Sequence, residues 1–389
     1  MNLSVTYLLP DKLGGVFNYV NNLLTYRIPD GFSYHAVLTD NIEDADTRSD
    51  GTLSADTVVR FRHSARENLY SVIKRLARVI PCEPGVLVIN DWLPLALASV
   101  HDTGKMVVNI THADSEYYYG LVGKHEPIID CFVTYTAQMY EKLQAVVPHR
   151  RDSIFFLPYG VKIPDVPRTP PPAALRLLYV GRFTREKGIF DLPRIDAALR
   201  QRGVAVLWTV HGTGPDESKF KAEWNNAEVR WSGRQPHERV LDLYRSHDVL
   251  VMPSRSEGLP VTLLEAASAG VVPVVSDLAS GIPEVVEHGV TGYRIRLGDI
   301  EGFASAIAEI ASDQYRMEIM SSCVRDRIRC RFDIRALAPA YQKLYARWEQ
   351  LKRPRAKDFA LQYGSRLDKP WFPNALVQAI RRRYGLNQV

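Results

Sequence analysis

The chain has 389 residues, 46% of them hydrophobic, and carries 49 Lys and Arg against 44 Asp and Glu, a net charge of +5. That size suffices for two hydrophobic cores. No apolar run approaches the roughly 18 residues of a membrane span, the four cysteines lack paired metal-ligand spacing and fit reduced thiols in the cytoplasm, and Met1 to Leu9 lacks the basic start of a signal peptide.

In chain order, Leu3–Leu9, His35–Leu38, Val86–Ile89, Met106–Ile110 and Cys131–Tyr135 predict buried strands of a first half. Gly14-Gly15 follow the first strand, where the backbone is expected to approach a ligand closely or to adopt a positive φ. No G-x-G-x-x-G follows, so this is not a dinucleotide fingerprint. Arg66 to Ile80 predicts an amphipathic helix with Lys74, Arg75 and Arg78. Asn90-Asp91-Trp92 follow the third predicted strand. His112 ends the fourth, with Asp114 close behind; a lone His is more often structural than catalytic.

Pro164, Pro167 and Pro170 to Pro172 predict an extended linker. Beyond it, Leu175–Val180, Val204–His211, Glu228–Ser232, Asp248–Pro253 and Val272–Ser276 predict a second set of buried strands. Alternating strands and helices in both halves argue for two parallel α/β sheets, with ligands held beyond the carboxyl ends of the strands. The expected divisions are 1–165, 166–340, and 341–389, the last a helix crossing back to the first domain followed by a basic extension. Residues 353–389 carry eight Lys or Arg against two Asp, a net +6. This stretch is expected to pack on the body through Trp371 and Phe372, or to face anionic lipid.

The most informative run is Glu257-Gly-Leu-Pro-Val-Thr-Leu-Leu-Glu265. Gly258 and Pro260 make a turn after a buried strand, and helical spacing begins near Val261, so Glu257 sits in a loop and Glu265 in the first turns of a helix. Two carboxylates can then face one ligand from different elements. The N–H groups from Leu259 to Leu263 are the expected unpaired donors of that helix start, suited to a phosphate or a sugar hydroxyl. Arg182 follows a strand at Gly181 and Lys187 precedes Gly188, so both cations can project over the strand ends.

The chain continues Glu265-Ala-Ala-Ser-Ala-Gly-Val-Val-Pro-Val-Val-Ser-Asp277, Ser280-Gly-Ile-Pro-Glu-Val-Val286 and His288-Gly-Val-Thr-Gly-Tyr293. Ahead of it stand Leu178-Tyr-Val-Gly-Arg182, Lys187-Gly188, Gly212-Thr-Gly-Pro215, Trp231-Ser-Gly233 and Pro253-Ser254. In that order the motifs resemble the retaining nucleotide-sugar glycosyltransferases of family four, strongly over about residues 175 to 345 and weakly before 165. The resemblance implies the GT-B fold, two Rossmann-like domains facing across a cleft.

It further implies roles. Arg182 and Lys187 hold the donor diphosphate, and Gly14 and Gly15 approach it through their backbone. Gly258, Leu259 and Leu263 belong to the donor site, Glu257 meets the transferred sugar, and Glu265 accepts the ribose hydroxyls. His112 is the acidic or hydrogen-bonding group at the reacting centre, and base recognition falls to backbone near Gly233-Arg234. Where many relatives carry a His, this chain has Asn90-Asp91-Trp92. The implied activity is transfer of a sugar from a nucleotide sugar, a UDP-sugar before a GDP-sugar, to a glycan or lipid-linked hydroxyl with retention, by front-face attack in which the leaving phosphate helps to deprotonate the acceptor. No cofactor and no metal is expected, nor any nucleic-acid partner, and the basic segments could meet the inner face of the membrane. Two other classes stay open: an isomerase like the UDP-N-acetylglucosamine 2-epimerases, revealed by C2 inversion without acceptor, and an inactive nucleotide- or glycan-binding partner, excluded by donor hydrolysis.

Overall fold

The computed structural model describes the chain except residues 1–2, 13, 44–50, 170–173, 225, 234, 236, 356–358, 363 and 386–389, with backbone alone for 237 and 238. It divides into two compact units, Met1–Gly160 with Arg335–Val389, and Val161–Ile334.

The first unit holds a seven-stranded parallel sheet in the order β3-β2-β1-β4-β5-β6-β7. Its strands are β1 Leu3–Pro10, β2 Phe32–Asn41, β3 Thr57–His63, β4 Gly85–Ile89, β5 Met106–Ile110, β6 Cys131–Thr134 and β7 Ile154–Phe156. Every residue of β4, β5 and β6 is buried, which is why these segments read as nearly continuous apolar runs, broken only by Asn109 and Thr134 toward their carboxyl ends. Leu8, Leu87, Val107 and Phe132 pack with Leu69, Val72 and Leu76 of helix Leu69–Ala77 and with Leu93 and Leu97 of helix Trp92–Val100. Each such aliphatic side chain contributes about 1.5–3 kcal/mol by leaving water.

The second unit repeats the plan with six parallel strands in the order β10-β9-β8-β11-β12-β13. These are β8 Leu175–Val180, β9 Val206–His211, β10 Arg230–Gly233, β11 Val249–Met252, β12 Val272–Ser276 and β13 Tyr293–Ile295. In both sheets the strand order reverses once, between β1 and β4 in the first and between β8 and β11 in the second. Reversal points of this kind open a crevice at the carboxyl ends of the strands. β3, β7 and β13 were absent from the sequence expectation.

The segment expected as a linker packs on the second unit as far as it is described. Arg168 is buried and donates to Asp248 Oδ1 at 2.7 Å, to Glu318 Oε1 at 2.6 Å and to the Gly270 carbonyl at 3.1 Å. Pro170 to Pro172 lie outside the described residues. After Ile334 the chain belongs to the first unit: the Tyr341 hydroxyl donates to the Leu157 carbonyl, and the Tyr345 hydroxyl lies 3.0 Å from that of Tyr7.

The basic extension is held by polar groups and by apolar packing, with Phe359 and Leu361 against the core of the first unit and Val377 buried. Arg381 is fully buried and pairs with Asp368 at 2.6 Å, while Asp368 also accepts the Leu69 N–H. Asn68 bonds Asn374 and the carbonyls of Lys369 and Phe372. The expected anchor Trp371 is instead 71% exposed, because the Asp368 and Arg381 pair fixes the segment and leaves the indole outside. Lys357 and Asp358 lie outside the described residues.

Candidate active site

At the rim of the second sheet β8 and β11 are neighbours, with Val249 beside Leu177. The loops that follow them meet backbone to backbone. Gly188 has φ +69°, and a Cβ there would lie 2.0 Å from the Pro253 carbonyl oxygen, so only glycine permits the approach. Gly212 is under the same constraint, its Cβ falling 1.9 Å from the Gly181 carbonyl oxygen. The Arg255 N–H donates to the Glu186 carbonyl at 2.8 Å, and the Arg255 guanidinium reaches Asp191 at 3.0 Å.

This packing delivers Lys187 Nζ to 2.8 Å from Glu257 Oε1. Glu257 is the more buried partner, its side chain 9% exposed against 27% for Lys187. Arg182 stands exposed on the adjoining turn, its carbonyl accepting the Tyr179 hydroxyl at 3.2 Å. Burial raises the Tyr179 phenol; Glu257 pushes it further up and Arg182 pulls it down, so both charges lie within electrostatic reach of one side chain. Two cations and a carboxylate therefore converge at the reversal point of the sheet.

Helix Val261–Ser268 begins after Pro260 as expected, but its first amides are not all open. The Leu263 N–H donates to the Pro260 carbonyl at 3.1 Å, and Leu263 is fully buried. The proline carbonyl closes the first turn, which takes Leu263 out of the expected donor set. Leu259 is buried, and the Gly258 carbonyl accepts the Gly281 N–H at 2.8 Å. That bond ties the Glu257 loop to the turn containing Glu284, whose own carboxylate pairs with Arg331 at 3.2 Å.

Glu265 occupies different surroundings from Glu257. It is 7% exposed and accepts the Tyr244 hydroxyl at 3.2 Å. Loss of hydration pushes its carboxyl up to about 8, with the Tyr244 bond opposing. With Lys162, Tyr244, Arg245 and Ser268 it lines a hollow of about 300 Å³. Gly233 ends β10 with φ +60°, and its partner in the expectation, Arg234, lies outside the described residues.

At the rim of the first sheet, Gly14 caps helix Gly15–Thr25 in an extended conformation, and a Cβ there would meet nothing within 4 Å. The fold itself does not demand glycine here, and the backbone stands open to an approaching group. The Gly15 carbonyl accepts the Tyr159 hydroxyl. His112 lies after β5, its Nε2 2.6 Å from Asn90 Oδ1, while Asn90 Nδ2 donates to the Leu8 carbonyl at 3.0 Å. The amide orientation is thus set by Leu8, so Oδ1 must accept a proton carried on Nε2. Nδ1 keeps its lone pair.

Burial lowers the imidazole to about 3. His112 is therefore neutral at physiological pH in the unliganded chain, which favours the hydrogen-bonding role over the acidic one. Its carbonyl accepts the Tyr135 hydroxyl, and its ring packs edge-on against Tyr19 at 5.6 Å. Asp114 is engaged elsewhere, by Lys142 at 2.8 Å and the Tyr119 hydroxyl at 2.8 Å. Sequence reasoning missed Asn90 and Tyr244 as partners of His112 and Glu265. The signals were the departure at Asn90 from the family pattern and the place of Tyr244 among the ordered motifs, between Gly233 and Asp248. Among the described residues no group of three or more His, Cys, Asp or Glu is placed to hold a metal ion, and no helix is long and apolar enough to cross a membrane.

Residues 169–327 match the family of glycosyl transferases group 1. Glycogen synthase of Mycobacterium tuberculosis is 26% identical over 73% of this chain and 74% of its own length. A colanic acid biosynthesis glycosyltransferase, WcaL of Salmonella typhimurium, is 30% identical over 48% of this chain, and the match spans about half of that relative (47%). In three dimensions the chain is similar to Anabaena Alr3699/HepE, solved in complex with UDP and glucose, with a TM-score of 0.71 and 16% identity over 89% of this chain and 100% of that one. With the two parallel-sheet units, these likenesses fit a GT-B fold and support a group 1 glycosyltransferase acting in polysaccharide or glycoconjugate synthesis.

Proposed function

We propose that the chain is a retaining group 1 glycosyltransferase that moves a sugar from a nucleotide sugar, a UDP-sugar before a GDP-sugar, to a hydroxyl of a glycan or lipid-linked acceptor, in the cytoplasm and without a metal. The observation that carries this reading is the Lys187 and Glu257 contact at the reversal point of the second sheet, with Arg182 beside it. A diphosphate needs concentrated positive charge, and Lys187 with Arg182 supplies it through side chains. On donor arrival Lys187 exchanges Glu257 for phosphate oxygens, and Glu257 turns to the hydroxyls of the transferred sugar. Until then the ion pair keeps the cation and the largely buried carboxylate satisfied.

Glu265 takes the ribose hydroxyls. A carboxylate offers about four lone-pair sites for such donors. Gly14 and Gly15 contribute open backbone. His112 accepts a hydroxyl hydrogen at Nδ1 while Nε2–H stays on Asn90. The leaving phosphate needs little protonation, so no acid is required of the protein, which agrees with a neutral imidazole. The UDP and glucose bound by HepE support the choice of donor.

The test is a thermal-shift panel of UDP, GDP, ADP and their sugars. A ligand bound only by the native state raises its stability by mass action. UDP and a UDP-sugar are expected to raise the unfolding midpoint most. No shift with any of these nucleotides refutes the reading.

A further inference from the structure

On the first unit, residues 64–80 and 364–385 contain nine Lys or Arg and two carboxylates, Glu67 and Asp368. Both carboxylates are buried and paired, Glu67 with Arg75 at 2.8 Å and Asp368 with Arg381 at 2.6 Å. The remaining seven bases are all exposed: Arg66, Lys74 and Arg78 from the first segment, and Arg366, Lys369, Arg382 and Arg383 from the second. The two segments are joined through Asn68 and Asn374, so this positive charge is held on an ordered surface. Between them lies a hollow of about 650 Å³ lined by Tyr70, Ile73, Lys74, Arg78, Val100 and Pro370.

Large apolar side chains stand in water on the same segments. Trp371 is 71% exposed, Tyr384 66% and Leu376 48%. Trp371 follows Pro370 at the edge of the hollow and adjoins Lys369. An exposed indole among basic side chains, with no unpaired acid in either segment, matches a surface that is negative in its outer layer and apolar just beneath. Trp and Tyr settle at the headgroup level of a bilayer, and Lys and Arg can lay their stems along apolar surface while their charges stay in the headgroups.

We propose that this face docks on an anionic lipid bilayer, with Trp371 inserted at the headgroup level and the seven exposed bases set over the lipid charges. The attraction is electrostatic first, so it is long-ranged at low ionic strength and fades as salt shortens the screening length. The rims that carry Gly14, His112, Lys187 and Glu257 contribute none of these side chains, so the proposal stands apart from the transferase reading.

The experiment is co-sedimentation of the full chain with vesicles of phosphatidylcholine alone and of phosphatidylcholine with phosphatidylglycerol, at low and high salt. The wild type is expected to sediment only with the anionic vesicles and to be released by salt. Combining Lys74→Gln, Arg78→Gln, Lys369→Gln and Arg382→Gln should weaken binding at least about tenfold, since each base near such a surface contributes roughly fivefold. Trp371→Ala should weaken binding with no change in the unfolding midpoint. Brominated lipids should quench wild-type tryptophan fluorescence and leave Trp371→Phe unquenched, a readout that needs no stable charge variant. Equal binding to both vesicle types, unchanged binding by the charge variant, unquenched Trp371, or binding to heparin or RNA with none to vesicles each overturns the proposal.

Discussion

Lys187 Nζ and Glu257 Oε1 stand 2.8 Å apart, joining the loop after β8 to the loop after β11 across the point where the strand order of the second sheet reverses. The contact depends on Gly188, whose missing side chain lets its backbone reach the Pro253 carbonyl. The charges are thus placed by backbone packing, and removing one should leave the loops in position.

Lys187→Ala and Glu257→Gln are accordingly expected to change stability little, by about 1 kcal/mol or less, because the lysine end of the pair is solvated. Turnover should fall much further, on the order of 10²- to 10³-fold, as when an electrostatic donor is lost from other active sites. Urea unfolding and steady-state rates on the same variants check this. Stability losses as large as the losses in activation free energy would make the pair structural.

Glu265 gives a proton signature. Its carboxyl is raised from 4.5 to about 8 by burial, so at neutral pH the unliganded native protein holds a proton there. Between those values the folded chain binds a proton that the unfolded chain lacks, and stability falls as pH rises through the window. If the ribose hydroxyls donate to an ionised carboxylate, nucleotide binding at pH 7 releases up to about one proton. Titration calorimetry of UDP in buffers of different ionisation enthalpy should show this release in the wild type and its loss in Glu265→Gln. Identical buffer dependence in the two would remove Glu265 from the nucleotide contact.

His112 acts in the opposite sense. Its imidazole is lowered from 6.5 to about 3 by burial, so between those values the unfolded chain carries the extra proton. Stability is fully present above the upper value and falls as pH drops toward the lower one. His112→Gln should flatten this acid dependence relative to wild type, measured as unfolding free energy against pH. The pH–rate profile should also lack a limb near 6.5 from this residue. A rate that follows a group titrating near 6.5 in wild type but not in His112→Gln would contradict the neutral assignment.

The fold was largely legible in the sequence because strands buried on both faces are mostly apolar, as β4, β5, β6 and β12 are, with the polar Asn109, Thr134 and Ser276 at or next to a strand end. β3 escaped because it borders only β2 and alternates, with Arg60 and Arg62 reaching solvent; β7 and β13 are three residues each and carry too little pattern. In the candidate site the charges could be read from their order along the chain, since each follows a strand end. Their partners could not. The pairing of His112 with Asn90 depends on β4 lying beside β5, that of Glu265 with Tyr244 on a helix packed across the unit, and the closed Leu263 amide on the turn that Pro260 makes.

The basic extension shows the same divide. Arg381, Arg382 and Arg383 are indistinguishable in sequence, yet the first is buried against Asp368 and the other two are exposed. Arg381→Gln leaves Asp368 buried without its cation and is expected to cost about 3–5 kcal/mol. Arg382→Gln and Arg383→Gln should each stay within about 0.5 kcal/mol. Urea denaturation of the three variants checks the assignment, and equal effects would refute it.

The most direct test of the transferase account is nucleotide release from a panel of UDP-hexoses by the purified full chain in the presence of a chelator, for wild type, Arg182→Ala and Lys187→Ala. The wild type is expected to release UDP from at least one donor with chelator present, and each substitution to depress the rate on the order of 10²-fold or more. Release that stops with chelator and returns with added metal would contradict the metal-free reading, and undiminished release in both variants would contradict the placement of the donor diphosphate at Arg182 and Lys187.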